Sequence, residues 1–302
     1  MTTPFIISQG GIGDAFLSLA ASYRHGKCRI VHAAAGIGVH DLIARIFALF
    51  GIPEFDVIPR QFTIEEYCVL RYSRNCISTT YLPDNLEFGD WCHFGKYKSR
   101  VTTELPVQEL FGKAPNPRQT KRVVVIAPAG SNVPRTIVAP WGDVTKERLL
   151  TKPEYDGIVA KCLEDCTVYV VGGPKDQKEY GMPSHPNFFW ATFDEMSCGE
   201  GGIRKTEMKD LFAVINGADL VVSADTWVKT YSCMAKVPTL VSRTRYDGQY
   251  FDFRDVQDWG ENIFLNQDIW DLEIVKAEDL VKTALIKHAL KLDDGARRTR
   301  YL

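Results

Sequence analysis

The sequence has no stretch approaching the ~20 consecutive apolar residues of a membrane-spanning helix, which excludes an integral membrane protein of the helical kind. Its first residues, MTTPFIISQGG, lack a basic region, a long apolar segment and a small-residue cleavage site, so no secretory signal is expected. None of the eight cysteines, at 28, 68, 76, 92, 162, 166, 198 and 233, belongs to a C-x-x-C pair. That absence argues against a zinc ribbon or a disulfide framework and favours reduced, buried thiols in a cytosolic enzyme. An excess of charge of one sign is missing too: 36 Lys and Arg against 38 Asp and Glu leave a formal net charge of -2. Such a balance gives no whole-molecule pull toward nucleic acid or an anionic membrane. The expected location is the cytoplasm, with peripheral contact at the inner face of a membrane left open.

What remains is ordinary globular material, 45% hydrophobic and 25% charged over 302 residues. Single cores stop growing at roughly 250–300 residues, so two domains are expected. The first third alternates strand and helix. Phe5 to Ser8 is an apolar strand running into Gly10-Gly11-Ile12-Gly13-Asp14, and the next helix carries Phe16, Leu19, Ala20 and Tyr23 on one face. Cys28 to Ala35 reads as a buried strand. A helix from His40 to Phe50 turns Leu42, Ile43, Ile46 and Phe50 inward and stops at Gly51. A strand at Phe55 to Ile58 precedes a helix opened by Thr63 and Glu66 in capping-box spacing. Residues 83–104 show no periodicity and read as a long loop, and 113–121 (KAPNPRQTK) reads as an inter-domain linker.

The second half restarts the alternation. Strands are expected at Val123–Ala127, Thr167–Val171, Ala218–Ser223 and Pro238–Ser242, and helices at Tyr155–Leu163, from Thr206-Glu207-Met208 to Asn216, and Ala277–Leu290. Alternation of this kind implies parallel strands with helices on their faces.

Two strand-to-helix turns carry the chemistry. A glycine-rich turn aims unpaired backbone N–H groups and the positive end of a helix dipole at the sheet's carboxyl edge. After the first strand the turn is neither a P-loop, which needs Gly-Lys-Ser/Thr, nor a dinucleotide fingerprint. Phe16 takes the third glycine's place, and no acidic residue ends the second strand near Ala35. Asp14 then either caps the helix or serves as a general base that removes the proton of an attacking hydroxyl. The second turn ends the strand Val221-Val222-Ser223 in Ala224-Asp225-Thr226. Amides after Asp225 would hold a diphosphate, Thr226 would add a hydroxyl, and the Asp225 carboxylate suits a sugar hydroxyl unless it is a plain N-cap. Lys229, one turn further, would offset phosphate charge or simply be solvated. No Asp-x-Asp lies between an apolar strand and a loop, so a metal is not expected.

These turns together resemble the ADP-heptose:lipopolysaccharide heptosyltransferase family. The match runs through QGGIGDAFLSLAA, DLIARIFALFGIPEFDVI, VVVIAPAGSN, VYVVGGPKDQ and DLFAVINGADLVVSADTWVKTYSCMAKVPTLV, over most of residues 5–241. The resemblance implies an α/β fold of two Rossmann-like domains facing a central cleft, the arrangement called GT-B, with residues 1–115 for the acceptor and 116–302 for the nucleotide-sugar donor. It implies that Asp14 is the base, in a turn with Gly11 and Gly13, and that Asp225 contacts the donor sugar and Thr226 a phosphate. Gly130, Ser131, Gly172 and Gly173 match donor-side loops, and Arg135 stands nearest the family's phosphate-neutralising residue. The chain departs from the family where Trp227 replaces a glycine and Thr230 a histidine. A tryptophan there would narrow the sugar pocket or offer a stacking face, so the donor sugar stays open.

The expected activity is an inverting, metal-independent transfer from a nucleotide-sugar to a hydroxyl, the acceptor being a glycan or lipopolysaccharide core. No cofactor is expected either, the nucleotide-sugar being the substrate. One alternative keeps the chemistry but modifies a nucleic-acid base, as some phage enzymes do. The loop from Trp91 to Arg100, with His93 and Lys96, would then meet the acceptor, and binding would fall steeply with salt. A solvated surface loop is the plainer reading of that segment. Another alternative is a sugar-nucleotide-binding module without catalysis, which turnover with a panel of donors separates from an enzyme.

Overall fold

The computed structural model describes residues 4–34, 38–71, 73, 76–78, 105–118, 120, 122–130, 135–139, 142–147, 149–224, 226–241, 244–246, 249–251 and 263–265. Of 64, 71, 78, 135–139, 142–147, 241, 244–246, 249–251 and 263–265 it describes the backbone alone. The described residues divide into two compact units, the first ending at Pro106 and the second beginning at Val107.

The first unit contains β1 (Phe5–Gly10), α1 (Ile12–Arg24), β2 (Arg29–Ala34), α2 (Val39–Leu49), β3 (Phe55–Ile58), α3 (Ile64–Arg71) and β4 (Cys76–Ser78). Its sheet runs β3-β2-β1-β4 with every pairing parallel. Parallel strands are sandwiched between helices, which is why β1 and β2 are so apolar. α1 is buried on all sides from Ala15 to Ser22. In α2 the innermost residues are Ile43, Ile46 and Phe47, while Leu42 is half-buried. The Thr63–Glu66 box forms as expected: the Thr63 N–H donates to Glu66 at 2.8 Å and the Glu66 N–H to Thr63 Oγ1 at 3.1 Å.

The second unit contains α4 (Val107–Phe111), β5 (Arg122–Ala127), β6 (Arg135–Ala139), β7 (Gly142–Glu147), α5 (Lys152–Leu163), β8 (Cys166–Val171), α6 (Pro174–Tyr180), β9 (Phe188–Ala191), β10 (Glu195–Cys198) and β11 (Ile203–Lys205). It continues through α7 (Met208–Asn216), β12 (Leu220–Ser223), α8 (Trp227–Met234), β13 (Thr239–Val241), β14 (Thr244–Tyr246), β15 (Gln249–Phe251) and β16 (Ile263–Leu265). The main sheet runs β11-β10-β9-β8-β5-β12-β13-β16. Its parallel part, β9 to β16, has the strand order of a Rossmann sheet, with the reversal between β5 and β12. β10 and β11 extend one edge in antiparallel fashion. A second sheet, β15-β14-β7-β6, is antiparallel. Val124, Ile126, Val168, Val170, Phe188 and Trp190 form a core with Tyr155, Ile158 and Val159 of α5.

Several features differ from the sequence reading, among them β4, α6 and β14 to β16, which it did not anticipate. β9, β10 and β11 fill a region read without strands. β6 and β7 form a hairpin just past the loop after β5. The segment 113–121, expected as a linker, is tied to the second unit. There the Ala114 N–H donates to Ala213 O at 2.8 Å, and Thr167 Oγ1 donates to Asn116 at 3.0 Å. α4 joins them, because Asn216 of α7 donates to Val107 O at 3.0 Å and to Gly112 O at 2.7 Å. A boundary at 115/116 therefore falls inside the second unit. The expected helix at 277–290 and the 83–104 loop lie outside the described residues. Among the described residues no helix is long and apolar enough to cross a membrane. The described cysteines are free thiols, with Cys28, Cys162, Cys166 and Cys233 buried.

Candidate functional site

Open α/β sheets bind ligands outside the carboxyl ends of their strands where the strand order reverses. In the first unit that point is the edge shared by β1 and β4. β1 ends at Gly10, whose φ of 139° is a left-handed value that L side chains rarely adopt. A Cβ there would also displace the Asp14 carboxylate, since it would lie 2.1 Å from Oδ2. Asp14 is the third residue of α1, and its Oδ2 accepts the Gly11 N–H at 3.1 Å. Gly11 is the N-cap and Gly13 lies in the first turn, both half-buried with Asp14. Beneath the turn, His32 of β2 is fully buried, with Nε2 3.3 Å from Gly10 O. Burial pushes its imidazole down to about 4, against the opposing pull of the Asp14 charge and the Gly10 hydrogen bond.

The same local solution recurs in the second unit. Gly172-Gly173-Pro174-Lys175-Asp176 leads from β8 into α6, and Asp176 Oδ2 accepts the Gly173 N–H at 2.8 Å. A Cβ on Gly172 would come within 3.0 Å of Trp190, whose Nε1 donates to Gly172 O at 3.0 Å. Burial raises the Asp176 pKa, and the Gly173 hydrogen bond offsets part of that rise. Asp14 is thus held in a capping posture that this chain also uses elsewhere. What separates the two is place: β1 borders the reversal of its sheet, whereas β8 stands one strand away from the reversal of its own.

In the second unit the reversal lies between β5 and β12, joined in register from Leu220 opposite Val124 to Ser223 opposite Ala127. The Ala224 N–H donates to Ala127 O at 2.9 Å, and the Leu150 N–H holds Pro128 O at 2.7 Å just before Gly130. Thr226 is the N-cap of α8, its hydroxyl accepting the Val228 N–H at 3.1 Å and lying 3.2 Å from Ser223 Oγ. The cap of this helix is therefore Thr226. Lys229, read as a solvated side chain or a phosphate partner, is only 3% exposed. A buried cation in the first turn of a helix opposes the dipole, so solvation does not account for it.

Trp227 is half-buried, stacked on Phe193 at 4.9 Å and edge-on to Phe212 at 6.2 Å. Thr230, where the resembling family has histidine, is buried. Arg135 opens β6, opposite Lys146 in the register of the hairpin.

One sheet edge thus carries Gly130, Thr226, Trp227 and Lys229, while Gly172 and Gly173 lie one strand over. Asp225, Ser131, His93 and Lys96 lie outside the described residues. Sequence reasoning passed over His32 and Phe193. The signal for His32 was a single polar residue inside the apolar run Ile30-Val31-His32-Ala33-Ala34. A cavity of about 650 Å³ lies against α5, lined by Tyr155, Val159, Tyr180, Met182 and His185 among others and by none of the site residues.

Neither a protein-family model nor a curated protein matches the sequence. Solved structures do match in fold. E. coli ADP-heptose lps heptosyltransferase II aligns at a TM-score of 0.50 and 10% identity, over 95% of this chain and 100% of its own. E. coli heptosyltransferase WaaC with ADP-2-deoxy-2-fluoro heptose aligns at 0.52 and 9% identity, over 94% of this chain and 98% of its own. The same enzyme with ADP gives 0.50 and 9%. The chain resembles these heptosyltransferases along nearly its whole length, and its fold is of their kind, two Rossmann-like units as in the GT-B fold.

Proposed function

We propose that this protein is a glycosyltransferase that moves a sugar from a nucleotide-sugar to an acceptor hydroxyl, with inversion and without a metal ion. The observation that carries the reading is a carboxylate, Asp14, held over a glycine turn at the strand-order reversal of the first unit. Asp14 takes the proton of the acceptor hydroxyl as its oxygen attacks the anomeric carbon. The bond from that carbon to the diphosphate oxygen breaks as the new bond forms, so a single displacement inverts the centre. Negative charge collects on the departing nucleoside diphosphate. The second unit meets it with the N-terminal amides of α8, the Thr226 hydroxyl and the Lys229 ammonium, groups of the kind that stabilise developing charge. Gly130, Ser131, Arg135 and Asp225 complete the donor side, and the acceptor is a glycan or lipopolysaccharide core met by the first unit.

A screen of nucleoside diphosphates and their sugars by thermal shift, followed by transfer assays and NMR of the product anomer, tests this. A true donor at 100-fold over its Kd stabilises the fold by about 2.7 kcal/mol. A second reading, a sugar-nucleotide-binding module, is favoured by Trp227 and Thr230 standing where the resembling family has glycine and histidine. Donor binding without turnover by any acceptor class would establish that reading and sink the transferase.

A further inference from the structure

His32 sits in mid-strand, opposite the buried Ser8 of β1, and its neighbours along the strand, Ile30, Val31, Ala33 and Ala34, are all apolar. A carbonyl oxygen only accepts, so the Nε2 that meets Gly10 O carries the ring proton and Nδ1 is left with a lone pair. Nδ1 is buried and, among the described residues, has no hydrogen-bond partner. Phe47 lies edge-on to the ring at 6.0 Å. An unsatisfied buried nitrogen is expensive, and a valine or leucine would fill the strand without that cost. Something gained at Nε2 must offset it.

The gain lies in the identity of the peptide that His32 holds. The Gly10 carbonyl and the Gly11 N–H are two ends of one planar amide. His32 binds the oxygen end at 3.3 Å and Asp14 Oδ2 binds the N–H end at 3.1 Å. Rotation of that plane would break both bonds, and Gly10, at φ 139°, is the residue with the freedom to rotate it. Each hydrogen bond also polarises the amide in the direction that strengthens the other.

We infer that His32 is a positioning residue for Asp14, acting through the Gly10–Gly11 peptide whose oxygen it holds and whose N–H the carboxylate holds. Its importance for turnover rests on the transferase reading of Asp14. Burial keeps the imidazole neutral well below pH 6, so the Nε2–H donor and its tautomer stay in place across the working range.

The test compares His32→Leu, which removes the donor, with His32→Gln, whose amide reaches the same oxygen. His32→Asn, too short to reach, replaces the leucine variant if that one does not fold. The expected result for His32→Leu is unchanged donor affinity, a kcat lower on the order of 10–100-fold, and recovery of most of that loss in His32→Gln. Hydrogen exchange of the Gly11 amide, followed by NMR, reads the turn with no reaction needed. It should quicken in His32→Leu and not in His32→Gln. Unchanged Gly11 exchange in His32→Leu, or equal behaviour of the two variants, overturns the inference whatever the wild type catalyses. Faster Gly11 exchange in a protein whose wild type transfers no sugar keeps the positioning role and sinks the transferase reading instead.

Discussion

The chain carries its own control for Asp14. Asp14 and Asp176 accept the same kind of hydrogen bond in the same kind of Gly-Gly turn, and asparagine keeps an oxygen to accept it, so each aspartate-to-asparagine variant should cost a comparable, small amount of stability, under ~1 kcal/mol. Asp14→Asn is expected to fold, bind donor as the wild type does and turn over 10²–10⁴-fold more slowly, on the order of a lost general base. Asp176→Asn should leave the rate untouched. Parallel kcat measurements on the two variants decide, and a near wild-type rate for Asp14→Asn would make it a cap and nothing more. His32 gives a second measurable effect, on stability. Its folded pKa of about 4 lies below the unfolded value near 6.5, so the unfolded chain binds the extra proton. The stability tied to the neutral ring is complete above pH 6.5 and drains away as pH falls toward 4, by about 3 kcal/mol in all. Urea midpoints should drop across that window in the wild type and drop less in His32→Leu.

A helix start is legible where its capping signal is local. The Thr63-Glu66 box forms as its spacing announces, whereas the Thr151-Glu154 box went unread and α5 starts at Lys152, three residues before the expected Tyr155. Central strands such as β5 and β8 were legible as unbroken apolar runs. β10 and β11 were not, being only four and three residues long, and β11 is exposed throughout. The allegiance of α4 was illegible for another reason: its hydrogen bonds to Asn216 span over a hundred residues. The site divides in the same way. The Asp14 and Thr226 turns announce themselves in sequence, whereas the role of His32 depends on strand register.

At α8 the cap is Thr226, so Thr226→Ala should cost about 1 kcal/mol and Thr226→Ser much less, read as shifts in Tm. Asp225→Ala should instead weaken nucleotide-sugar binding while sparing the bare diphosphate, and calorimetry with both ligands separates the effects. Trp227→Gly should lose about 2–4 kcal/mol through the Phe193 and Phe212 contacts. If the ring also faces the sugar, the same variant accepts a wider panel of donors.

At the scale of the molecule, the proposed donor site belongs to the second unit alone. A nucleoside diphosphate should therefore slow hydrogen exchange in β5, β12 and the first turn of α8, while β1 and α1 exchange at their old rates. Equal protection in both units would contradict the assignment of the donor to the second.

The pairing of β5 with β12 has a consequence for how this protein comes into being. The Val123 N–H donates to Asp219 across 96 residues of chain. On a ribosome adding roughly 5–20 residues per second, β5 waits several seconds for that neighbour, paired meanwhile on one flank by β8. Until β12 arrives, the other flank of β5 is an unpaired apolar edge, the kind that invites association with other chains. The strand-order reversal closes only when β12 docks, so this half of the nascent protein is open to aggregation until the edge proposed to hold the donor exists.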